Sequence, residues 1–371
     1  MLASVTEFRK ARGRVYDLAF ILAACLVAVL GGAKNYREIS TTVAAIPQWM
    51  LRLMGAEWNY FTRRYEYPRK TAIWHALTCV DAAELDAVSG KWLLSQARRG
   101  RQDGGSFTWE IAMDGKALRG AWTDENDQFT LFSAMLHREK VTIAQVKVPD
   151  GTKETTQVQA LADKCDIMEG ETVLATLDAA FSGRGTGKII GGKEGWDYLI
   201  TLKTDKPKLY GKAKEKIAGA LAGPPHDVMK ETRGGRRKIW SCWTADANGI
   251  EFPHLEQVAC ILREAFSATG EKISKEVAIV ITSAKPEKMT AADVSRHVRN
   301  HWGIENGSHY IRDTVYREDH NQAYTRNGPN GLAALRNLAI GLFRLKAVKN
   351  IKEATELVHL DLARAIPLMT T

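Results

Sequence analysis

The sequence of 371 residues has little cysteine and no arrangement of cysteines that indicates a covalent or metal framework. The number of cysteines is odd, and no two of them form a C-x-x-C pair. They are Cys25, Cys79, Cys165, Cys242 and Cys260. A disulfide scaffold and a structural zinc site are therefore not indicated, and the free thiols favour a reducing compartment.

The sequence also lacks an apolar run long enough to cross a membrane. Its longest run, Leu18–Leu30, has thirteen residues, whereas a spanning helix needs roughly 17–25. Four basic residues within 9–14 precede this run, as in a secretory signal peptide. The alternative is the buried helix of a small N-terminal domain, which the free cysteines favour. We expect a cytoplasmic protein without a membrane partner.

Internal repeats and low-complexity tracts are absent from the sequence as well. With 45% hydrophobic and 26% charged residues, the composition is that of a globular protein and excludes collagen and coiled-coil arrays. Basic residues outnumber acidic ones by eleven to five in Met1–Lys70 and by eleven to four in Lys203–Trp240. Because the remainder of the chain is slightly acidic, these two patches indicate a nucleic-acid partner.

Hydrophobic periodicity divides the chain into a helical N-terminal part and a mixed part after it. Helical spacing of apolar residues extends to about residue 99, and the Gly-rich, charged segment 97–105 is the best boundary. Three strand patterns follow, and then helix, strand, helix and strand. The three strand patterns cover 108–113, 128–136 and 141–148. This order predicts an α/β fold, an RNase H-like mixed sheet flanked by helices.

Two aspartates follow apolar strand patterns directly. Asp114 closes Trp109–Met113, and Asp178 closes Thr172–Leu177. Since the end of a buried strand is a rigid platform at the edge of the core, carboxylates there are well placed for chemistry. One such aspartate is most often a turn or cap residue. Two in one sheet, together with a third acid, indicate a site.

The third acid lies in the polar segment His301–Asp313. Read as a helix, this segment places Asn306 and His309 along one side and Glu305 on the flank of that side. A helix as polar as this one either faces a polar or ionic site or is a surface helix with many ion pairs.

Four blocks of the sequence resemble, in the same order, the DDE transposases of bacterial insertion sequences, and specifically their ISAs-type, H-repeat-associated branch. The blocks are Met113-Asp-Gly-Lys-Ala-Leu-Arg-Gly120, Thr176-Leu-Asp-Ala-Ala180, Asp197-Tyr-Leu-Ile-Thr-Leu-Lys-Thr-Asp-Lys-Pro207, and Asn300-His-Trp-Gly-Ile-Glu-Asn306 through Tyr316-Arg-Glu-Asp319. The first and the last of these blocks are specific, whereas the Leu-Asp-Ala block alone is weak. The resemblance covers nearly the whole chain.

The resemblance implies a catalytic triad of Asp114, Asp178 and Glu305 that binds metal. Two Mg²⁺ ions, with Mn²⁺ as a substitute, suit carboxylate ligands and the charge that develops when a phosphodiester is hydrolysed. In the family, the same centre cuts the ends of the element and joins the freed 3′-OH to target DNA. The implied partners are double-stranded DNA, at the element ends and at the target, and a second copy of the chain in a homodimer on DNA. The implied location is the bacterial cytoplasm at the nucleoid.

Further basic residues are candidates for contacts with DNA phosphates. They are Lys116, Arg119, His301, Arg312, Arg69, Lys70, Arg236, Arg237 and Lys238. Lys116 and Arg119 come shortly after Asp114. Arg69 and Lys70 occupy the first turn of a predicted helix, where cations oppose the helix dipole and a phosphate partner would offset that cost. For Lys116, Arg119, Arg69 and Lys70, charge on a solvated surface is the alternative.

The predicted domains are an N-terminal all-α, DNA-binding domain at 1–98, a catalytic domain at 106–345 and a C-terminal helical tail at 346–371. Within the catalytic domain, 203–275 is predicted to be a basic insertion before the last catalytic helix. Its two tryptophans either stack on an unpaired base or pack in the core, and core packing is favoured.

The chain departs from the wider superfamily near Glu305. His301 and Arg312 stand where the superfamily has Arg and Lys, and Val298 stands in place of a Tyr. His301 agrees with the ISAs-type branch, and no departure removes an acid of the triad. Three functions stay open: an active transposase, a domesticated or inactive DNA-binding derivative, and an RNase H-like nuclease without strand transfer.

Overall fold

The computed structural model describes residues 1–101, 106–122, 128–322 and 325–370 and has an α/β architecture. The strands are β1 Trp58–Asn59, β2 Arg64–Tyr65, β3 Trp109–Trp122, β4 Gln128–Leu136, β5 Thr142–Lys147, β6 Val173–Leu177, β7 Trp196–Leu202, β8 Asp227–Arg233, β9 Arg236–Asp246, β10 Gln257–Phe266 and β11 Lys272–Thr282. The helices are α1 Leu18–Leu30, α2 Tyr36–Ala44, α3 Gln48–Leu53, α4 Lys70–Cys79, α5 Ala82–Arg99, α6 Val158–Lys164, α7 Arg184–Gly191, α8 Pro207–Leu221, α9 Ala291–His301, α10 Tyr310–Thr314, α11 Gly328–Leu345, α12 Ile351–Leu360 and α13 Ile366–Met369.

The chain divides into two compact units. Unit I consists of Met1–Arg101, Gly115–Asp166 and Ile304–Thr371, and unit II consists of Gln102–Asp114 and Ile167–Gly303. Strand β3 therefore contributes its first residues to unit II and the rest to unit I. The domain boundaries that the sequence suggests stay predictions.

Nine strands form a mixed sheet in the order β5-β4-β3-β6-β7-β11-β10-β9-β8. The β3–β6 and β6–β7 pairings are parallel. The remaining pairings of unit II, from β7 through β11, β10 and β9 to β8, are antiparallel. Because parallel neighbours need a crossover, α7 lies between β6 and β7 in the chain. The α/β class with a mixed sheet and a helical N-terminal region is confirmed.

The core of unit II lies around its parallel strands and under α9. Every residue of β6 is buried, as a strand covered on both faces requires. A second apolar cluster joins the later strands to α9 and includes Trp240 and Val294. Trp243 is buried as well, and its indole N–H donates to the carbonyl oxygen of Gly223 at 3.1 Å. Both tryptophans of the basic segment thus pack in the core.

The thirteen-residue apolar run is the buried helix α1 of unit I. Eleven of its residues are buried, and the helix contacts α2, α4 and α11. Among the residues that the structure describes, no helix is both long and apolar enough to span a bilayer. The interpretation of this run as a core helix is therefore the one that the structure bears out.

Three local features differ from the sequence-based prediction. The predicted helix that begins at Arg69 and Lys70 ends at Cys79, and a second helix, α5, follows it, because Asp81 caps α5 by accepting two backbone N–H groups. The Gly-Pro-Asn-Gly segment 328–331, whose composition is typical of a loop, is the first turn of α11, where Pro329 is well tolerated. The hairpin Trp58–Tyr65 was not predicted, since strands of two residues have too little alternation to detect.

Gly90 of α5 allows that helix to approach β5 closely. A Cβ atom at this position would collide with the carbonyl oxygen of Ile143. Gly211 of α8 is a matched helical glycine with nothing within 4 Å of an added Cβ.

We expect Gly90→Ala to lower the free energy of unfolding by about 1–3 kcal/mol, because the backbone must shift to admit the methyl group. The control Gly211→Ala should keep or raise it, since Ala favours helix. Urea unfolding followed by circular dichroism measures both. Equal stability of the two variants would contradict the close approach.

Candidate active site

Asp114 and Asp178 lie next to each other in unit II. Strands β3 and β6 pair in parallel from Trp109↔Val173 to Met113↔Leu177, and the two aspartates are the next residue on each strand. Both side chains are half-buried. Asp178 Oδ1 accepts the backbone N–H of Ala180 at 2.9 Å, which holds that carboxylate at the strand end. The structure thus brings together two of the three predicted catalytic acids.

Asp114 does not end its strand, which corrects one expectation. The pairing with β6 stops at Met113, but β3 continues to Trp122. The strand persists because β4 is its other neighbour in the sheet. Asp114 therefore lies inside a strand, at the point where one of its two partners ends.

His301 is the last residue of α9 and lies beside the same pair of strands in unit II. Its Nδ1 is 3.0 Å from Thr176 Oγ1, and that hydroxyl donates to the carbonyl oxygen of Ile111 at 3.3 Å. Since Thr176 precedes Asp178 by two residues, this contact holds the end of α9 against the strand that carries the second aspartate.

Glu305 begins a single π-turn, Glu305–His309, in unit I. The predicted continuous helix is therefore interrupted: α9 ends at His301 and α10 begins at Tyr310. π-turns are rare in proteins, but those that occur are often found at functional sites. His309 Nδ1 lies 3.1 Å from Glu305 Oε2. This hydrogen bond lowers the pKa of Glu305, which keeps the partly exposed carboxylate ionised.

Lys116 is buried in unit I, which corrects the expectation that it faces DNA. Its ammonium group lies 2.7 Å from Asp313 Oδ2 and 3.4 Å from Asp319 Oδ1. Burial raises the pKa of Asp313, although Lys116 acts in the opposite direction. Arg119, in contrast to Lys116, is exposed. Its Nε lies 3.5 Å from Asp319 Oδ2. Arg119 stays a candidate for phosphate contact.

Arg312 is fully buried, so it too is corrected as a predicted DNA contact. Its Nε donates to Glu318 Oε2 at 2.7 Å, and Arg336 Nη1 donates to Glu318 Oε1 at 2.8 Å. Arg336 also donates to the carbonyl oxygen of Lys34. The cluster anchors α10, which directly follows the π-turn of Glu305, to α11.

The sequence analysis gave no role to two residues of this cluster, Glu318 and Arg336. Glu318 lies in the Tyr-Arg-Glu-Asp block, so the resemblance pointed to it without indicating burial. Burial alone would raise the pKa of Glu318, but Arg312 and Arg336 outweigh burial and lower the pKa to about 2. The carboxylate therefore stays charged inside the unit.

The remaining candidate DNA contacts lie at or near the surface of their units. Arg69 and Lys70 are exposed at the start of α4. Arg236 and Arg237 are exposed on β9, and Lys238 is half-buried. The β8–β9 turn is made by two glycines, 234 and 235, which both have positive φ, as a two-residue hairpin requires. Residues 203–275 thus contain α8, β8–β10 and the first residues of β11.

Each unit offers carboxylates of the kind that hard divalent cations prefer. In unit II they are Asp114 and Asp178, and in unit I Glu305 lies against His309, a second type of metal ligand. Adjacent carboxylates repel one another unless a cation neutralises them. The carboxylates of each unit are therefore suitable ligands for Mg²⁺ or Mn²⁺.

A family model described as the transposase DDE domain matches residues 105–342. The chain belongs to the DDE transposase family. A second model, described as DDE_Tnp_1-associated, matches residues 1–93. A DDE domain has an RNase H-like fold, and the mixed sheet of this transposase-family chain agrees with that fold.

Three proteins of Escherichia coli are similar over most of their length. YbfL of strain K12 is 24% identical over 359 residues, covering 92% of this chain and 88% of the relative. YhhI of the same strain carries the name of an H repeat-associated transposase and is 23% identical over 359 residues, with the same two coverages. YncI of strain O157:H7 carries the name of a transposase and is 23% identical over 353 residues, covering 93% and 85%.

The resemblance to H-repeat-associated transposases is confirmed by the family models and these relatives. Among solved structures, the cryo-EM structure of a piggyBac transposase synaptic complex with hairpin DNA aligns with 98% of this chain and 76% of that chain. Its TM-score is 0.39 and its sequence identity 10%.

We expect Glu318→Gln to lower the free energy of unfolding by about 3–5 kcal/mol, because it leaves two buried guanidinium groups without their counter-charge. Glu356→Gln, at an exposed glutamate of the same unit, should change it little. The stabilisation from Glu318 is fully present above the unfolded pKa and is lost as the pH falls towards about 2. Urea unfolding at pH 7 and at lower pH measures the effect of the substitutions and the pH dependence. A loss of unfolding free energy in Glu318→Gln no larger than in Glu356→Gln would contradict the stabilising role of the cluster.

Proposed function

We propose that this chain is the transposase of a bacterial insertion sequence, and that Asp114, Asp178 and Glu305 form its catalytic triad. The observation that carries the proposal is the register of β3 and β6, which makes Asp114 and Asp178 neighbours at the ends of paired strand segments. The family match supports the reaction class. Glu305 completes the triad through its position in the His-Trp-Gly-Ile-Glu-Asn block.

The proposed reaction has two phosphoryl-transfer steps. In the first, a water oxygen bonds to the phosphorus at the element end and the P–O3′ bond breaks, which leaves a 3′-OH on the element and a 5′-phosphate on the flank. In the second, that 3′ oxygen bonds to a target phosphorus while the target's own P–O3′ bond breaks and releases a 3′-OH. Bound Mg²⁺ would activate the attacking oxygen and stabilise the leaving one.

The chain's own residues hold the metal and the DNA in this proposal. The three carboxylates are the metal ligands, and Thr176 and His301 support the strand that carries Asp178. Exposed cations bind phosphates, with Arg119 following Asp114 and with Arg236 and Arg237 on β9. Since two element ends must be brought together, the proposal includes a homodimer on DNA, acting at the nucleoid in the cytoplasm.

The direct test is cleavage of a duplex that carries the terminal repeats flanking the gene, with Mg²⁺ or Mn²⁺ present. We expect Asp178→Asn to lower the cleavage rate by more than roughly a hundredfold. Loss of a residue that only supports a metal ligand costs up to about that much, and Asp178→Asn removes a ligand itself. The control Asp205→Asn, at an exposed turn aspartate, should cleave normally. Unchanged cleavage by Asp178→Asn would overturn the triad.

The products distinguish the proposed transposase from the two other functions that the sequence leaves open. A transposase yields element ends joined to target DNA. A nuclease yields cut ends without a joined product, and a domesticated derivative binds the duplex and cuts nothing. Either of the last two outcomes would contradict the proposed strand transfer.

A further inference from the structure

The hairpin of β1 and β2 in unit I presents two aromatic side chains to solvent at its tip. Tyr60 is 84% exposed and Phe61 is 99% exposed, on the four-residue turn between the strands. Burial of a phenylalanine side chain contributes roughly 1.5–3 kcal/mol. Phe61 gains none of this within its own chain and would gain it if a partner covered the side chain.

The tip is held in one conformation by side chains of the hairpin itself. Asn59 Oδ1 accepts the backbone N–H groups of Phe61 at 2.9 Å and Thr62 at 3.1 Å. Glu66 Oε1 in turn accepts from Asn59 Nδ2 and from Thr62 Oγ1. Arg63 closes the turn with φ of 52° in the left-handed region. A fixed tip lowers the entropy that binding would cost.

The base of the hairpin is attached to α3. The backbone N–H of Tyr65 donates to Gln48 Oε1, and Gln48 Nε2 donates back to the carbonyl oxygen of Tyr65 at 3.1 Å. Trp58 packs edge to face on Tyr65 with ring centroids 5.0 Å apart. The aromatic tip therefore stands on a supported stem.

The surface of the hairpin and of its neighbours in the chain is basic. Five exposed cationic side chains belong to α3, the hairpin and the start of α4: Arg52, Arg63, Arg64, Arg69 and Lys70. The acids of 48–70 are Glu57 and Glu66, and Glu66 is engaged in the tip. Phe, Tyr and Arg are enriched in protein interfaces as well. An excess of cations over acids on one surface is, however, the electrostatic footprint of a nucleic-acid partner, so an aromatic tip flanked by these cations fits DNA.

We propose that this hairpin is a wedge for duplex DNA: Phe61, with Tyr60 beside it, inserts at a base step, while Arg63 and Arg64 bind the adjoining phosphates. The inference rests on the proposed function, because it needs a DNA partner, and it adds an element and a mode of binding to it. Apolar side chains inserted between bases from the minor groove unstack them and kink the duplex. The kink is the property that separates a wedge from a merely basic surface.

The experiment uses the full chain and a mixed-sequence duplex with a fluorescent donor at one end and an acceptor at the other. The wild-type chain should raise energy transfer on binding, since a kink shortens the distance between the ends. Phe61→Ala should bind roughly five- to hundredfold more weakly and lose most of the rise, because aromatic stacking on bases contributes on that scale. Phe61→Trp should restore both.

The matched control is Leu360→Ala, which removes an apolar side chain of unit I that is 81% exposed. It should leave affinity and energy transfer unchanged. Because Phe61 is exposed, its replacement should not alter the melting temperature, so a loss of binding is not a loss of fold.

Several outcomes overturn the wedge. If Phe61→Ala binds and bends the duplex as the wild type does, the wedge is wrong while the proposed function stands. If Phe61→Ala changes the mass of the free protein in light scattering and leaves DNA binding intact, the tip contacts a second copy instead. If the wild-type chain binds no duplex at all, the proposed function fails, and the wedge fails with it.

Discussion

Five residue pairs between β3 and β6 determine where two of the three predicted catalytic acids lie. From Trp109↔Val173 to Met113↔Leu177 the strands run in parallel and are almost wholly buried, so a slip of one residue would exchange the side chains that pack on the two covered faces and disrupt their packing. The register is therefore fixed by packing, and Asp114 and Asp178 follow it as neighbours. Burial of these apolar strand segments thus places the two aspartates on neighbouring strands.

A second cluster of charges lies inside unit I and has a different character. Glu318 binds Arg312 and Arg336 there, and Lys116 binds Asp313 and Asp319. These groups neutralise one another, so they need no ion, and their cost of burial is offset only while each partner is present. Their effect is to order α10 and β3 in this unit. The candidates that remain for contact with DNA are exposed cations on the hairpin, α4 and β9, together with Arg119 of β3.

The sequence predicts most reliably what depends on neighbours in the chain. The run Leu18–Leu30 coincides with α1, and the pattern 128–136 coincides with β4, because apolar residues alone define both elements. The continuation of β3 past Asp114 depends on β4 as a partner, which no local pattern contains. Burial of Arg312 depends on Glu318, which follows it by six residues and lies beyond a turn of the chain. The triad itself came from the resemblance, since spacing suggested three acids without joining them.

We propose that Asp114, Asp178 and Glu305 bind the same divalent ions. Cleavage of the chain by Fe²⁺ with ascorbate and peroxide tests it most directly, because hydroxyl radicals cut the backbone next to the bound metal. Fragments mapped by mass spectrometry should end near all three residues, and excess Mg²⁺ should suppress every cut. Cuts near Asp114 and Asp178 with none near Glu305, or cuts that Mg²⁺ does not suppress, would contradict the shared site.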